Sequence, residues 1–208
     1  MTDAACVHVP GVIRASSLVR SCGKVAWNWE VLAGRLVELS SEDGSAQLTL
    51  AVELVADAQR HAQPVAWVTE KKSGFFPPDV AEHGVDLASL VVVRTAGGQT
   101  IPRAAEMLAR SGAFGLVVLD LGKDASVPPP LLSRLMKLAQ QRHTMVLFLT
   151  IKSADAASLG SLMSLRGEAR YTRTAENSFA CELRILKDKR GPPTWTHRED
   201  CRGPMGVR

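Results

Sequence analysis

The sequence predicts a three-layer α/β fold, in which helices cover both faces of a mainly parallel, twisted sheet with antiparallel strands at its C-terminal edge. From residue 35 onward, short apolar runs of strand length alternate with amphipathic helical stretches, an order typical of parallel sheets. The runs are predominantly apolar, as expected of strands buried on both faces. Residues 168–174 and 180–187 instead alternate in period two, which predicts the antiparallel edge strands.

The individual elements follow from the same spacing. A short helix is predicted at residues 12–20, and a strand edge at 25–29, where Trp27 and Trp29 cover the rim of the core. The later strands are predicted at residues 36–39, 65–68, 90–93, 116–119 and 145–149, the last of the parallel set. Apolar residues at helical spacing predict helices at residues 48–61, 101–108 and 131–142, with a shorter helix that ends at Gly84.

The composition fits one globular core, since 46% of the 208 residues are hydrophobic. We divide the chain into an N-terminal helix and linker (1–30), a core (31–191) and a basic, irregular tail (192–208). No apolar run approaches the ~18 to 20 residues of a membrane span, and no signal peptide is recognisable. The sequence therefore predicts a cytoplasmic protein without membrane contact.

The cysteines are predicted to be free thiols. Cys6, Cys22, Cys181 and Cys201 are far apart and lack the spacing of metal ligands, so neither disulfides nor a metal site is expected.

The net charge of +4 comes from one end of the chain. Residues 165–208 contain ten Lys or Arg against six Asp or Glu, which accounts for the whole excess. Such a segment attracts nucleic acid or an acidic partner surface, or simply remains solvated. The candidate residues for DNA or partner binding are Arg184, Lys187, Lys189 and Arg190.

Residues 34–54 form an apolar strand, a small polar loop and an amphipathic helix, which is the layout of a nucleotide-binding P-loop. In the Walker A pattern G-x-x-x-x-G-K-[ST], backbone N–H groups and the lysine hold phosphates, and the hydroxyl holds Mg²⁺. The four defining positions here are Ser41, Ala46, Gln47 and Leu48. A neutral amide cannot replace the lysine, and the loop carboxylates of Glu42 and Asp43 repel phosphate.

A second strand, at residues 116–119, has the form of a Walker B strand because it ends at Asp120. In a doubly wound sheet, ligands bind at the carboxyl ends of strands, where this side chain and the polar loop both lie. The predicted vestigial nucleotide site comprises Ser41, Gly44, Ala46, Gln47, Leu48 and Asp120.

The ordered series of segments resembles the RecA family of recombinases over roughly residues 34–191. The matching segments are G-R-L-V-E-L at 34–39, the helix at 48–61, V-A-W-V-T-E at 65–70, H-G-V-D-L at 83–87, L-A-R-S-G-A at 108–113, the strand ending at Asp120 and R-I-L-K-D-K-R at 184–190. The resemblance implies a RecA-like core of the P-loop NTPase type. It also implies that Lys187 and Lys189 correspond to lysines that reach a neighbour's nucleotide in RecA filaments.

The departures from the RecA pattern imply lost catalysis. The acid that positions water corresponds to Glu70 or, with an offset, to Lys71, and the glutamine that senses the γ-phosphate corresponds to Ile151. The two segments that correspond to the DNA-binding loops, 121–130 and 151–165, are short and poor in Gly and basic residues. We therefore expect no ATPase activity, no cofactor and no strand exchange.

A RecA-like core with these losses resembles ImuA, a family encoded in bacterial mutagenesis cassettes. This resemblance implies a non-catalytic accessory role in the DNA damage response and translesion (SOS) mutagenesis. The implied partners are RecA and the ImuB protein with its error-prone polymerase. Direct DNA contact is a weaker expectation, which would associate the protein with the nucleoid, and self-association stays open.

Two alternatives also stay open at the level of sequence. The first is an unorthodox ATPase or DNA-binding RecA paralogue, in which Asp120 and Glu70 act with Lys71 or Lys72 in place of the P-loop lysine. The second is a cell-division inhibitor like SulA, which shares the same degenerate ancestry.

Overall fold

The computed structural model describes residues 26–43, 45–71, 77–123, 125–175, 178–192 and 194–202. The strands in these ranges are Leu36–Ser41 (β1), Val65–Glu70 (β2), Leu90–Thr95 (β3), Leu116–Gly122 (β4), Met145–Ile151 (β5), Leu165–Ala175 (β6), Ser178–Asp188 (β7) and Thr196–Arg202 (β8). The α-helices are Trp29–Leu32 (α1), Ser45–Arg60 (α2), Pro77–Glu82 (α3), Ile101–Ser111 (α4) and Pro129–Arg142 (α5). Short 3₁₀ turns at Leu87–Ser89 and Gly98–Thr100 precede β3 and α4.

The strands form one eight-stranded sheet in the order β3-β2-β4-β5-β1-β6-β7-β8. Neighbours from β3 through β6 run parallel, and β7 and β8 are antiparallel to their neighbours. This arrangement confirms the predicted α/β class with antiparallel edge strands.

Two apolar cores lie on opposite faces of the sheet. Val37 and Leu39 of β1 pack with α2 on one face, whereas Leu36 packs with α4 and α5 on the other. Successive strand residues point to opposite faces, so a central strand needs apolar residues on both faces to fill both cores. This explains why the apolar runs in the sequence located the central strands.

Local sequence features mark the first turns and the C-terminal ends of α4 and α5, the helices that cover the second face. Gly112 follows α4 at φ 71°, and His143 follows α5 at φ 57°, the left-handed conformation that commonly stops a helix. Pro102 and Pro129 stand in the first turns of α4 and α5, where a missing N–H costs no hydrogen bond. α4 and α5 therefore end a few residues before β4 and β5 begin.

The prediction that residues 145–149 form the last parallel strand is wrong. β6 also runs parallel to β1, with a register from Val37 opposite Leu165 to Ser40 opposite Glu168. The chain between β5 and β6 returns to the opposite end of the sheet before β6 begins. The period-two pattern of β6 arises because alternate residues such as Ala169 enter the core beneath α2, while Glu168 lies on the other face.

Two predictions about the ends of the fold also need correction. Residues 27–29 are not a strand, because the side chain of Asn28 accepts a hydrogen bond from Val31 N–H and caps α1; both Trp27 and Trp29 nevertheless pack on the core. The tail is not irregular throughout, since β8 pairs with β7 and satisfies that strand's edge hydrogen bonds. The helix predicted at residues 12–20 lies outside the described residues.

Candidate functional site

The carboxylate of Asp43 lies at the N-terminus of α2, in the loop that follows β1. Oδ1 of Asp43 accepts hydrogen bonds from Ser45 N–H at 3.1 Å and from the Ser41 hydroxyl at 3.2 Å. Ser45 is the first residue of α2, and a helix N-terminus attracts anions such as phosphate. Asp43 therefore accepts the hydrogen bond of the Ser45 N–H, a group that would otherwise be available to a phosphate. Gly44 of the predicted site lies outside the described residues.

Hydrogen bonding keeps this carboxylate charged. Burial opposes ionisation, but the hydrogen bonds from the backbone and side chain of Ser45 and from the side chain of Ser41 together lower the pKa of Asp43. A bound phosphate would have to displace or neighbour this negative charge.

The residue at the Walker lysine position points into the protein. Gln47 is buried, and its carboxamide oxygen has no hydrogen-bond partner among the residues that the structure describes. Ala46 is buried too, and its carbonyl accepts a hydrogen bond from Sγ of the buried Cys181 thiol at 3.3 Å. Leu48, at the Mg²⁺ hydroxyl position, is exposed. These three side chains therefore do not converge on a common ligand position.

Asp120 lies near the carboxyl end of β4, as predicted, and accepts a hydrogen bond from the Thr69 hydroxyl of β2 at 2.9 Å. In the order of the sheet, one strand, β5, lies between β4 and β1, the strand that leads into the phosphate loop. Glu70 and Lys71 follow at the end of β2 with exposed side chains, and Lys72 lies outside the described residues. The neighbouring hydroxyl gives the Asp120 carboxylate a structural role without any metal.

Sequence reasoning missed a buried acid that fastens the segment corresponding to a DNA-binding loop. Glu38 of β1 is fully buried and forms an ion pair with Lys152. Its Oε2 accepts hydrogen bonds from the Ser158 hydroxyl at 2.6 Å and from Leu159 N–H at 3.0 Å. Arg166 holds the same segment through the carbonyl groups of Ser153 and Ala156. A charged residue inside an apolar strand was the one signal available in the sequence.

A cavity of about 340 Å³ opens beside this segment, near the ends of β4 and β5. Ser126, Thr150, Ile151 and Lys152 are among its lining residues. Ile151, at the position of the γ-phosphate sensor, therefore contributes an apolar side chain where the RecA pattern requires an amide.

The four predicted basic residues do not form one patch. Arg184 forms an ion pair with the buried Glu168 at 3.1 Å, and Glu168 lies opposite the carboxyl end of β1. Lys189 instead donates to the Ser161 carbonyl, and Arg190 donates to the Gly34 carbonyl at the start of β1. The pKa of Lys187 is lowered, first by burial and then by the nearby charge of Lys189. The basic residues thus extend along β7 instead of converging on one phosphate.

A buried ion pair lies within the same basic segment. Arg35 and Asp188 have side chains only 3% and 4% exposed and are hydrogen bonded to each other. Arg35 also donates to the hydroxyl and carbonyl of Ser164, and Asp188 accepts from Arg190 N–H at 2.9 Å. This pair joins the start of β1 to the end of β7 and was invisible in the sequence, where both residues read as ordinary surface charges.

One group of side chains in the described part of the chain could hold a metal ion. Glu53, His197 and Glu199 present ligand atoms that all lie within 4.8 Å of one another. Among the described residues, no helix is both long and apolar enough to cross a membrane.

The parallel sheet, with its polar loop between β1 and α2 and its acid at the end of β4, defines the P-loop NTPase class of α/β proteins. Within that class, the RecA N-terminal domain family matches residues 28–141, more than half of the sequence. The chain belongs to this family, and the predicted relationship to RecA is confirmed at that level.

Individual relatives agree with this assignment. The chain is 38% identical over 88 residues to Protein RecA of a Nocardioides species, which covers 42% of this chain and 25% of that relative. Protein RecA of Bifidobacterium breve is 34% identical over 87 residues, covering 42% of the chain and 22% of the relative. Protein RecA of Chlorobaculum parvum is 29% identical over 123 residues, which covers 57% of the chain and 33% of the relative. The chain thus matches a third or less of each relative's length.

Proposed function

We propose that this protein is a non-catalytic RecA-like accessory factor of the ImuA type, which acts in the DNA damage response and translesion mutagenesis by binding other proteins. The proposal combines family membership with a phosphate loop that has lost its working groups. The nucleotide-binding face of the fold is retained as structure, and its surfaces serve partners such as RecA or the ImuB–polymerase machinery.

The observation that carries the non-catalytic part of the proposal is the Asp43 carboxylate on the N-terminus of α2. A phosphate at this position would lose the attraction of a lysine and gain the repulsion of a carboxylate. The buried Gln47 offers no positive charge in return. Both changes lower nucleotide affinity.

We expect the purified full chain to bind ATP with a dissociation constant weaker than about 1 mM and to show no turnover above background. Titration with a fluorescent ATP analogue and a phosphate-release assay, each with an intact RecA as positive control, would measure this. Saturable binding at micromolar ATP, or turnover comparable to RecA, would refute the non-catalytic role. If such binding disappeared in Lys71→Ala/Lys72→Ala, the substitute-lysine alternative would take its place.

A second feature supports binding to a RecA-type partner. β3 is the edge strand of the sheet, and no strand of the described residues pairs with its outer side. Unpaired N–H and C=O groups at such an edge accept an added strand. Val91 of β3 is 46% exposed and provides apolar contact there. RecA subunits assemble through a strand and helix that dock on the next subunit's core, so this edge would let the protein join or cap a RecA filament.

We expect substoichiometric protein to shorten RecA filaments on single-stranded DNA and to reduce their DNA-dependent ATPase. Val91→Asp should abolish the effect because it introduces a charge into the docked edge, whereas Val31→Asp should preserve it. Val31 is a matched control, since it is 38% exposed and lies on α1 instead of β3. Electron microscopy and ATP hydrolysis assays would measure both. Unchanged filament length and ATPase with the unmodified protein would refute capping.

A further inference from the structure

We propose that Glu53, His197 and Glu199 form a binding site for a divalent transition metal of the zinc class, which clips the terminal strand β8 to helix α2. Glu53 belongs to α2, and the other two residues belong to β8. His197 and Glu199 are two positions apart on one strand, so their side chains share a face. That face is the one that α2 covers, because the residues opposite them on β7, Leu183 and Cys181, belong to the core beneath α2.

The distances between the side chains suit tetrahedral coordination. Nε2 of His197 lies 3.4 Å from Oε1 of Glu53 and 3.7 Å from Oε2 of Glu199. Ligands at zinc bond lengths in a tetrahedron are about 3.3–3.5 Å apart. The carboxylates are within 4.8 Å of the other ligand atoms, so small rotations of the glutamate side chains complete the geometry.

Two atoms at the site lack a hydrogen bond of good geometry among the described residues. Nε2 of His197 and Oε2 of Glu53 are both shielded from solvent, and Nε2 of His197 has only the longer ion-pair contacts with Oε1 of Glu53 and Oε2 of Glu199. Buried polar atoms without good hydrogen bonds cost stability, and a metal ion bound by the imidazole and the Glu53 carboxylate would satisfy them. An imidazole with two carboxylates is a donor set that zinc and similar divalent ions accept.

Three protein ligands leave a fourth position open. The Glu199 side chain is 44% exposed, so water or a partner's side chain can reach that position. Because β8 pairs with β7 alone among the described strands, the metal would supply a second attachment between the terminal strand and the core. The site therefore couples metal binding to the ordering of the C-terminal end of the sheet.

We expect the full chain, freed of metal with a chelator, to bind one zinc ion and to melt at a higher temperature when zinc is added. Competition against a chromophoric zinc chelator and differential scanning calorimetry with zinc chloride would measure this. His197→Ala should abolish binding, and Glu53→Gln and Glu199→Gln should each weaken it by about tenfold or more. His83→Ala is the matched control, because His83 is an exposed histidine whose ring nitrogen contacts only its own helix's backbone at Asp79.

The comparison of variants decides the proposal. Zinc binding that is lost in His197→Ala, reduced in both glutamine variants and retained in His83→Ala would support it. Equal binding by His197→Ala and the unmodified chain would identify an adventitious ion only, and no binding at micromolar zinc would equally overturn the site. Glu199→Gln keeps the test valid if His197→Ala fails to fold, since Glu199 is the most exposed of the three ligands.

Discussion

Replacing Asp188 by asparagine is expected to destabilise the protein by about 3–5 kcal/mol, because it leaves the guanidinium of Arg35 buried without its counter-ion. Both side chains are almost completely buried. Arg35 cannot reach water without breaking its hydrogen bonds to Ser164. The loss would be a large part of the 5–15 kcal/mol that typically separates folded from unfolded states.

Urea unfolding at neutral pH, followed by circular dichroism, would measure this loss. Asp200→Asn is the matched control, because it makes the same change at a side chain that is 83% exposed; its expected effect stays within about 0.5 kcal/mol. A loss below about 1 kcal/mol for Asp188→Asn would contradict the importance of the buried pair.

The same ion pair predicts how stability depends on pH. Burial alone would raise the pKa of Asp188, but hydrogen bonds from Arg190 N–H and Arg35, with the charge of Arg35, hold it below its usual value. A carboxyl whose pKa is lowered by folding contributes stability above its unfolded pKa, and that contribution is lost as the pH falls through the folded pKa. The difference in the free energy of unfolding between the unmodified protein and Asp188→Asn should therefore become smaller as the pH is lowered.

Glu38→Ala is expected to release the segment between β5 and β6 and to cost about 1–3 kcal/mol, because the partly buried Leu159 N–H and Ser158 hydroxyl lose this acceptor. Lys152 lies close enough to the surface to turn into solvent, which limits the loss. The expected local result is faster amide exchange at residues 152–164, because the contacts of Glu38 with Ser158 and Leu159 are gone.

Hydrogen exchange followed by mass spectrometry would locate the change, and urea unfolding would give its free energy. Ser158→Ala is the matched control, because it removes only one of the two hydrogen bonds to Oε2 of Glu38 and leaves the ion pair with Lys152 intact. Exchange at residues 152–164 that is no faster in Glu38→Ala than in Ser158→Ala would show that Glu38 does not hold the segment.

These two acids explain why RecA-like DNA contact is a poor expectation for this chain. Glu38 fixes the segment that corresponds to one DNA-binding loop, and the carboxylate of Asp188 lies between the basic residues of the 184–190 segment. Arg184 and Arg190 contact groups at opposite ends of β1. A DNA affinity that falls steeply with salt requires several phosphate contacts at once. Basic residues that are spread over both ends of β1 do not favour such a set of contacts.

The sequence and structure agree where local pattern decides the outcome. Residues 116–119 and 145–149 were recognisable as strands because both of their faces are buried. They differ at β6, where alternating polarity indicates a strand but not its direction relative to each neighbour, and at β8, which lies in the segment predicted to be an irregular tail. Direction depends on where the intervening chain crosses the sheet, which local pattern does not encode.

The sequence alone determined the α/β class, the position of the phosphate loop and the loss of its lysine and hydroxyl, because these depend on residue identity and short-range spacing. Only the tertiary structure decided which charges are buried and what they contact. Asp43 lies at the N-terminus of α2. Glu38 and Asp188 bind partners 121 and 153 positions away in the chain. Glu53 of α2 contacts His197 of β8. The sequence does not distinguish a charged residue in water from one in a core, because its energetic role depends on the partners that folding brings to it.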